Sequence, residues 1–173
     1  NEHVSLSEEK SHTKNYKVTQ KIKFDDVDPS EKLKLLGDVD KEIKDAIGRY
    51  LSLSDGVSKK YFINTEGTKV VSEIPRANFM YFITIKEGSK SGQKYWQYCN
   101  TGGYEWFKKW NLSKLMSDEF KAIKNNLKNA KKPPTGELDV VVGPEVTGIM
   151  VHESVGHPFE ADRIFGREAA QAG

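Results

Sequence analysis

An α+β fold is what this chain predicts, and three observations carry the prediction. From Arg49 to about Tyr98 the residues follow the pattern of strands and turns. An amphipathic helix pattern precedes that stretch and another follows it. Near the end, a short apolar strand pattern runs straight into one more helix pattern. The expected architecture is an antiparallel β-meander with packed helices, followed by a strand and a helix that carries the chemistry.

Composition sets the outer limits. The chain has 173 residues, enough for a real core, and is 36% hydrophobic and 30% charged, which is globular but polar. Its 27 basic and 25 acidic residues leave a net charge of +2. That balance argues against a dedicated nucleic-acid binder, which is usually strongly basic. Nothing approaches the ~18 consecutive apolar residues of a membrane span. The first residues show neither a signal-peptide pattern nor an initiator Met. A single cysteine, Cys99, excludes an internal disulfide, and a reducing cytoplasm is the simplest compartment.

Taken in order, residues 1–16 are polar and read as a weakly ordered start, with His3 and His12 solvated. A half-buried strand is expected over Lys17–Phe24, because Val18, Ile22 and Phe24 share one face. Asp28-Pro29-Ser30-Glu31 then opens a helix, with Asp28 or Ser30 as cap. Leu33, Leu36, Val39, Ile43, Ala46 and Ile47 form its apolar stripe, and it ends near Gly48.

In the β region, Tyr50, Leu51 and Leu53 precede Ser54-Asp55-Gly56, and Lys59–Ile63 precedes the Asn64–Gly67 turn. The strongest strand is Phe79–Ile85, rich in aromatic and β-branched residues. After the Glu87–Gly92 turn, Gln93–Cys99 pairs back as a hairpin. Cys99 reads as a small buried hydrophobe, with metal ligation as the alternative. The tract with Tyr95, Trp96, Tyr98, Tyr104, Trp106, Phe107 and Trp110 reads as core packing, the alternative being a wall that grips peptide or stacked bases. Ser113 caps a second helix whose Met116, Phe120, Ile123, Leu127 and Ala130 follow helical spacing. Its lysines suit a solvated face and the negative end of the helix dipole. Pro133-Pro134-Thr135-Gly136 is a rigid connector and the best internal boundary. The expected division is therefore 1–16, an α+β domain over 17–132, and 133–173 leading towards a further C-terminal domain.

The chemistry sits in that last piece. Asp139–Val142 reads as a short buried strand, and Pro144 and Glu145 suit the first turn of a helix. Along this helix runs Val151-His152-Glu153-Ser154-Val155-Gly156-His157, an H-E-x-x-x-H motif. A lone histidine is usually packed or solvated, but two imidazoles and a carboxylate within six residues, held behind a core strand, are what a hydrolytic metal site needs. Neutral imidazole nitrogens ligate zinc and similar ions, and a non-ligating glutamate can take a proton from the attacking water. The spacing poses a geometric problem. On an α-helix, residues five apart lie about 140° apart around the axis and cannot face one ion. Either a π-type bulge intervenes or the helix ends between the two histidines. Gly156 and Pro158 favour the second route, with His152 and Glu153 helical and His157 at the break.

The run GELDVVVGPEVTGIMVHESVGHPFEADR closely resembles the TldD/PmbA family, the "modulator of DNA gyrase" metallopeptidases. The shared features are the Val140–Pro144 strand and turn, the His152–His157 motif, and the acidic Glu160 and Asp162. A looser likeness extends back to about Lys17, through Asn64–Gly67 and Gly102-Gly103-Tyr104. The histidine motif makes the chain TldD-like. The resemblance implies zinc as cofactor, His152 and His157 as ligands, Glu153 as general base, and a third ligand, a cysteine, in the family's C-terminal half. Glu160 or Asp162 would hold a ligand histidine from behind, a surface or helix-end role being the alternative. It also implies unfolded or small peptides as substrates and a homo- or heterodimer. The rival readings are a non-catalytic metal-binding regulatory partner of the gyrase or toxin–antitoxin type, and a nucleic-acid module built on the aromatic tract.

Overall fold

Strand pairing organises the first of two compact units, Asn1–Lys131 and Lys132–Gly173. The structure is a computed structural model and describes residues 7–166. His3 and the residues from Arg167 onward lie outside the described residues.

In the first unit the elements are β1 (Thr13–Lys17), α1 (Pro29–Lys41), β2 (Gly48–Ile63), β3 (Lys69–Glu87), β4 (Lys90–Thr101), α2 (Glu105–Lys109) and α3 (Leu112–Asn129). β3 is the central strand. β2 lies antiparallel along one side of it, from Gly48 opposite Thr84 to Ile63 opposite Lys69. Two strands share the other side. β1 runs parallel to residues Lys69–Glu73, and β4 runs antiparallel from Arg76 opposite Thr101 to Glu87 opposite Lys90. Pro75 sits where the neighbour changes from β1 to β4, and its carbonyl accepts from Gly102 N–H at 3.1 Å. Its missing donor therefore falls at the seam between the two neighbours, where a ladder bond is lost at least cost.

The meander is thus longer and less interrupted than its turn-type residues suggest: β2 runs unbroken through Ser54-Asp55-Gly56, and β3 through Pro75. The first strand also lies earlier than Lys17–Phe24. It occupies Thr13–Lys17, while Phe24–Asp26 forms a short 3-10 turn. All five residues of β1 are exposed, so its position follows backbone pairing with β3 rather than an apolar face.

Alternate residues of β3, Ala77, Phe79, Tyr81, Ile83 and Ile85, are buried. They pack with Val39, Ile43 and Ala46 from α1 and its extension, and with Tyr104, Phe107, Leu112 and Met116 from α2 and α3. α1 starts where the cap signal places it, with Asp28 accepting from Ser30 N–H at 2.8 Å and Pro29 at the first turn. The aromatic tract is largely core. Tyr104, Phe107 and Trp110 meet edge-on with ring centroids 5.4 and 5.6 Å apart. Tyr95 is an exception, at 52% exposure, on the sheet face the core does not cover. Cys99 is exposed as well, not buried as its residue type suggests, because β4 presents alternate residues to the open face.

The turn after β4 is tightly specified. Gly102 has φ +141°, and a Cβ on Gly103 would lie 2.0 Å from the Ile22 carbonyl oxygen. Close approach lets the buried Glu105 carboxylate accept from Ile22 N–H at 3.0 Å and Gly103 N–H at 2.9 Å. Burial alone would raise this carboxyl's pKa, but the backbone donors outweigh it and hold the group below the usual carboxylate range.

In the second unit, residues 137–143 form no strand, and Val140 and Val141 are largely exposed. The buried strand expected at Asp139–Val142 is therefore absent among the described residues. Three valines in a row can fill a strand, but a strand exists only with a partner to accept its backbone hydrogen bonds. What does form is a chain of short helical turns: α4 (Pro144–Val151), a π-helical turn over His152–Gly156, a 3-10 turn over His157–Phe159, and α5 (Ala161–Ile164).

Candidate metal centre

α4 brings the motif into position. Gly143 precedes it in an extended conformation, Pro144 takes the first helical position, and Thr147 N–H and Oγ both bond the Gly143 carbonyl at 3.0 Å. The regular helix stops at Val151. From His152 the chain widens into a π turn, closed by His157 N–H donating to the His152 carbonyl. The five-residue problem is solved this way rather than by a break. An i→i+5 turn brings the sixth residue back over the first. Gly156 has ordinary helical angles, φ −60° and ψ −61°, and so does His157 with φ −62° and ψ −42°, despite Pro158. Gly156's freedom is not used, and Pro158 sits in the first turn of the 3-10 segment that His157 opens instead of expelling His157 from the helix.

The result is convergence. The two imidazole rings lie edge to face with centroids 4.3 Å apart. Glu153 stands between them, with Oε1 3.8 Å from His152 Nε2 and Oε2 3.7 Å from His157 Nε2. One ligand-type atom from each of the three residues lies within 4.8 Å of the others, and among the described residues this is the group that could hold an ion. The two imidazole nitrogens suit zinc, the Glu153 carboxylate stands beside them, and the side chains of His152 and Glu153 are about 60% exposed and open to a further ligand or to substrate.

His157 is held from behind. Its Nδ1 lies 2.7 Å from Glu160 Oε1. An ionised carboxylate only accepts, so this contact puts the proton on Nδ1 and leaves the lone pair on Nε2, facing the cluster. Glu160 in turn has Arg163 Nε 3.6 Å from its Oε2. Asp162 does not join this chain. Its Oδ1 accepts from the backbone N–H of Arg163 at 3.0 Å, an arrangement local to the start of α5. Sequence reasoning passed over Arg163, although its i+3 spacing from Glu160 was a usable signal. Cys99 belongs to no cluster of three or more ligand-type side chains among the described residues.

Comparison with known proteins bears on both units. A family model described as the PmbA/TldA metallopeptidase central domain matches residues 22–128, a stretch that ends before the histidine motif. A protein named metalloprotease from Methanocaldococcus jannaschii is 30% identical over 168 residues, which is 96% of this chain and 37% of that protein. One of the same name from Methanothermobacter thermautotrophicus is 31% identical over 144 residues, 80% of this chain and 31% of its own. A zinc metalloprotease TldD homolog from Saccharolobus solfataricus is 27% identical over 108 residues, 62% of this chain and 24% of its own. The chain thus spans only about a third of the length of these curated relatives. No solved structure matches significantly.

Proposed function

Since the chain belongs to the PmbA/TldA metallopeptidase family, we propose that it contributes the metal-binding helix of a zinc-dependent peptidase acting on unfolded or small peptides. The observation that supports this reading best is the convergence of His152, Glu153 and His157 on one side of a π turn. The name of the Saccharolobus relative, a zinc metalloprotease TldD homolog, adds zinc to the reading.

Zinc, when bound, supplies Lewis acidity to the scissile carbonyl and the attacking water. His152 and His157 would hold it through ring nitrogens, His157 with Nε2 because Glu160 orients it through Nδ1. Glu153 is the base. One of its oxygens accepts the water's proton and later delivers it to the leaving amine, which its position beside both histidines permits without its being a ligand. The same reading places the protein in the cytoplasm as a dimer with a family member. No helix among the described residues is long and apolar enough to cross a membrane.

The test is Glu153→Gln in the full-length protein. Zinc content should stay near that of the parent while peptide hydrolysis falls by about 100-fold or more, the size of a general-base contribution. Hydrolysis retained at more than a tenth of the parental rate would remove Glu153 from the role of base.

A further inference from the structure

We infer that the open face of the sheet carries a carboxylate-binding site centred on Arg76, which anchors an extended peptide; the choice of ligand rests on the peptidase reading above. Arg76 lies on the exposed face of β3, between Gly56 of β2 and Thr101 of β4. Among the described residues its side chain has no ion pair and no hydrogen bond. Arg49 and Arg163, by contrast, are both paired with carboxylates. A guanidinium left without an anion keeps its planar fork of donors available.

Its surroundings form a site. A cleft of about 470 Å³ is lined by Arg76, Ser54, Ser58, Asn78 and Cys99. The floor is thin, because Gly56 has open space where a Cβ would project. Asn78 donates to Ser54 Oγ at 3.2 Å, and each keeps further hydrogen-bonding capacity for a ligand. Asp55 also borders the cleft, but its carboxylate is tied to Lys32 at 2.8 Å. One unpaired cation with neutral hydroxyls and an amide favours a monoanion such as a carboxylate over a dianionic phosphate.

The same face continues away from Arg76 in register. The next rungs are Ser54–Asn78–Cys99, then Ser52–Met80–Gln97, then Tyr50–Phe82–Tyr95. That last rung is an aromatic row, with Tyr50 56%, Phe82 39% and Tyr95 52% exposed. Six residues along a strand separate Arg76 from Phe82, about 20 Å. An extended peptide of about six residues can therefore place its carboxylate at Arg76 and an apolar side chain on the aromatic row.

The probe is a fluorescein-labelled hexapeptide with neutral side chains and one phenylalanine near its labelled end, prepared as the free acid and as the C-terminal amide. Binding to the full chain is read by fluorescence anisotropy in excess chelator, so failure of the metal chemistry cannot affect the result. The free acid should bind at least tenfold more tightly than the amide. Arg76→Gln should abolish that difference, Arg76→Lys should restore part of it, and Gly56→Leu, which fills the cleft, should weaken the free acid. An amidated peptide carrying one internal glutamate separates the two sources of carboxylate: recovered affinity assigns a side chain, none assigns the C-terminus, and either supports the site. Equal binding of acid and amide, or a preference that survives Arg76→Gln, overturns the proposal. So does a chain that binds neither peptide and forms a dimer disrupted by Phe82→Glu, since a second copy would then occupy the face.

Discussion

Glu160 shows how much one side chain decides at this site. It touches His157 Nδ1 at 2.7 Å and would not itself contact an ion held at Nε2. Removing such a support usually costs about 10–100-fold in metal affinity. Glu160→Ala should show that loss in a competition titration against a chelating dye, and Asp162→Ala, whose carboxylate serves the backbone of Arg163, should not. Equal losses in the two variants would contradict the assignment of Glu160. Gly156 tests the π turn in the opposite sense. With helical angles, and a β-carbon that would meet only His152 Nδ1 at 3.6 Å, Gly156→Ala should fold without strain. It should gain about 0.5–1 kcal/mol from reduced unfolded-state entropy. A melting temperature that falls instead would mean that the turn uses backbone angles only glycine reaches.

At the scale of elements, the turn between β4 and α2 is the most specified piece of the first unit. Glu105 is buried there and accepts backbone hydrogen bonds in its charged form. Its depressed pKa fixes the sign of its pH dependence. The stabilisation is complete above the unfolded-state value of about 4.3 and is lost as pH falls through the lower folded-state value. Glu105→Gln should cost about 1–3 kcal/mol at neutral pH. It should also flatten the acid limb of melting temperature against pH; a limb unchanged by the substitution would show that other carboxylates set it. Gly103→Ala asks a steric question at the same turn, since the added carbon would sit 2.0 Å from the Ile22 oxygen. The turn must shift, so we expect a loss of about 3 kcal/mol or more, read by denaturant unfolding.

For the whole molecule, the two units differ in how they are supported. The sheet unit buries its own core. The motif unit exposes Val140, Val141, Ile149, Met150, Val151 and Phe159, each more than half exposed. Two imidazoles fall one short of the three protein ligands usual at a catalytic zinc. The 173-residue chain by itself should therefore yield its zinc to a chelating dye of nanomolar affinity, whereas stoichiometric retention would show that another group in this sequence completes the set.

The residues alone determined the strand and helix periodicities, the Asp28 cap, the aromatic core and the candidate site, because each is a local pattern of side-chain chemistry. They offered Glu160 or Asp162 as a support for a motif histidine, and the folded chain puts Glu160 against His157. Three things needed the folded chain. β1 lies at Thr13–Lys17 because a backbone ladder, not an apolar face, holds it. Val140–Val142 does not form a strand, since apolar residues are suited to burial but cannot supply the neighbour that buries them. The histidines converge through a π turn instead of a break, and that choice depends on one backbone hydrogen bond, from His157 N–H to the His152 carbonyl, which no residue type encodes.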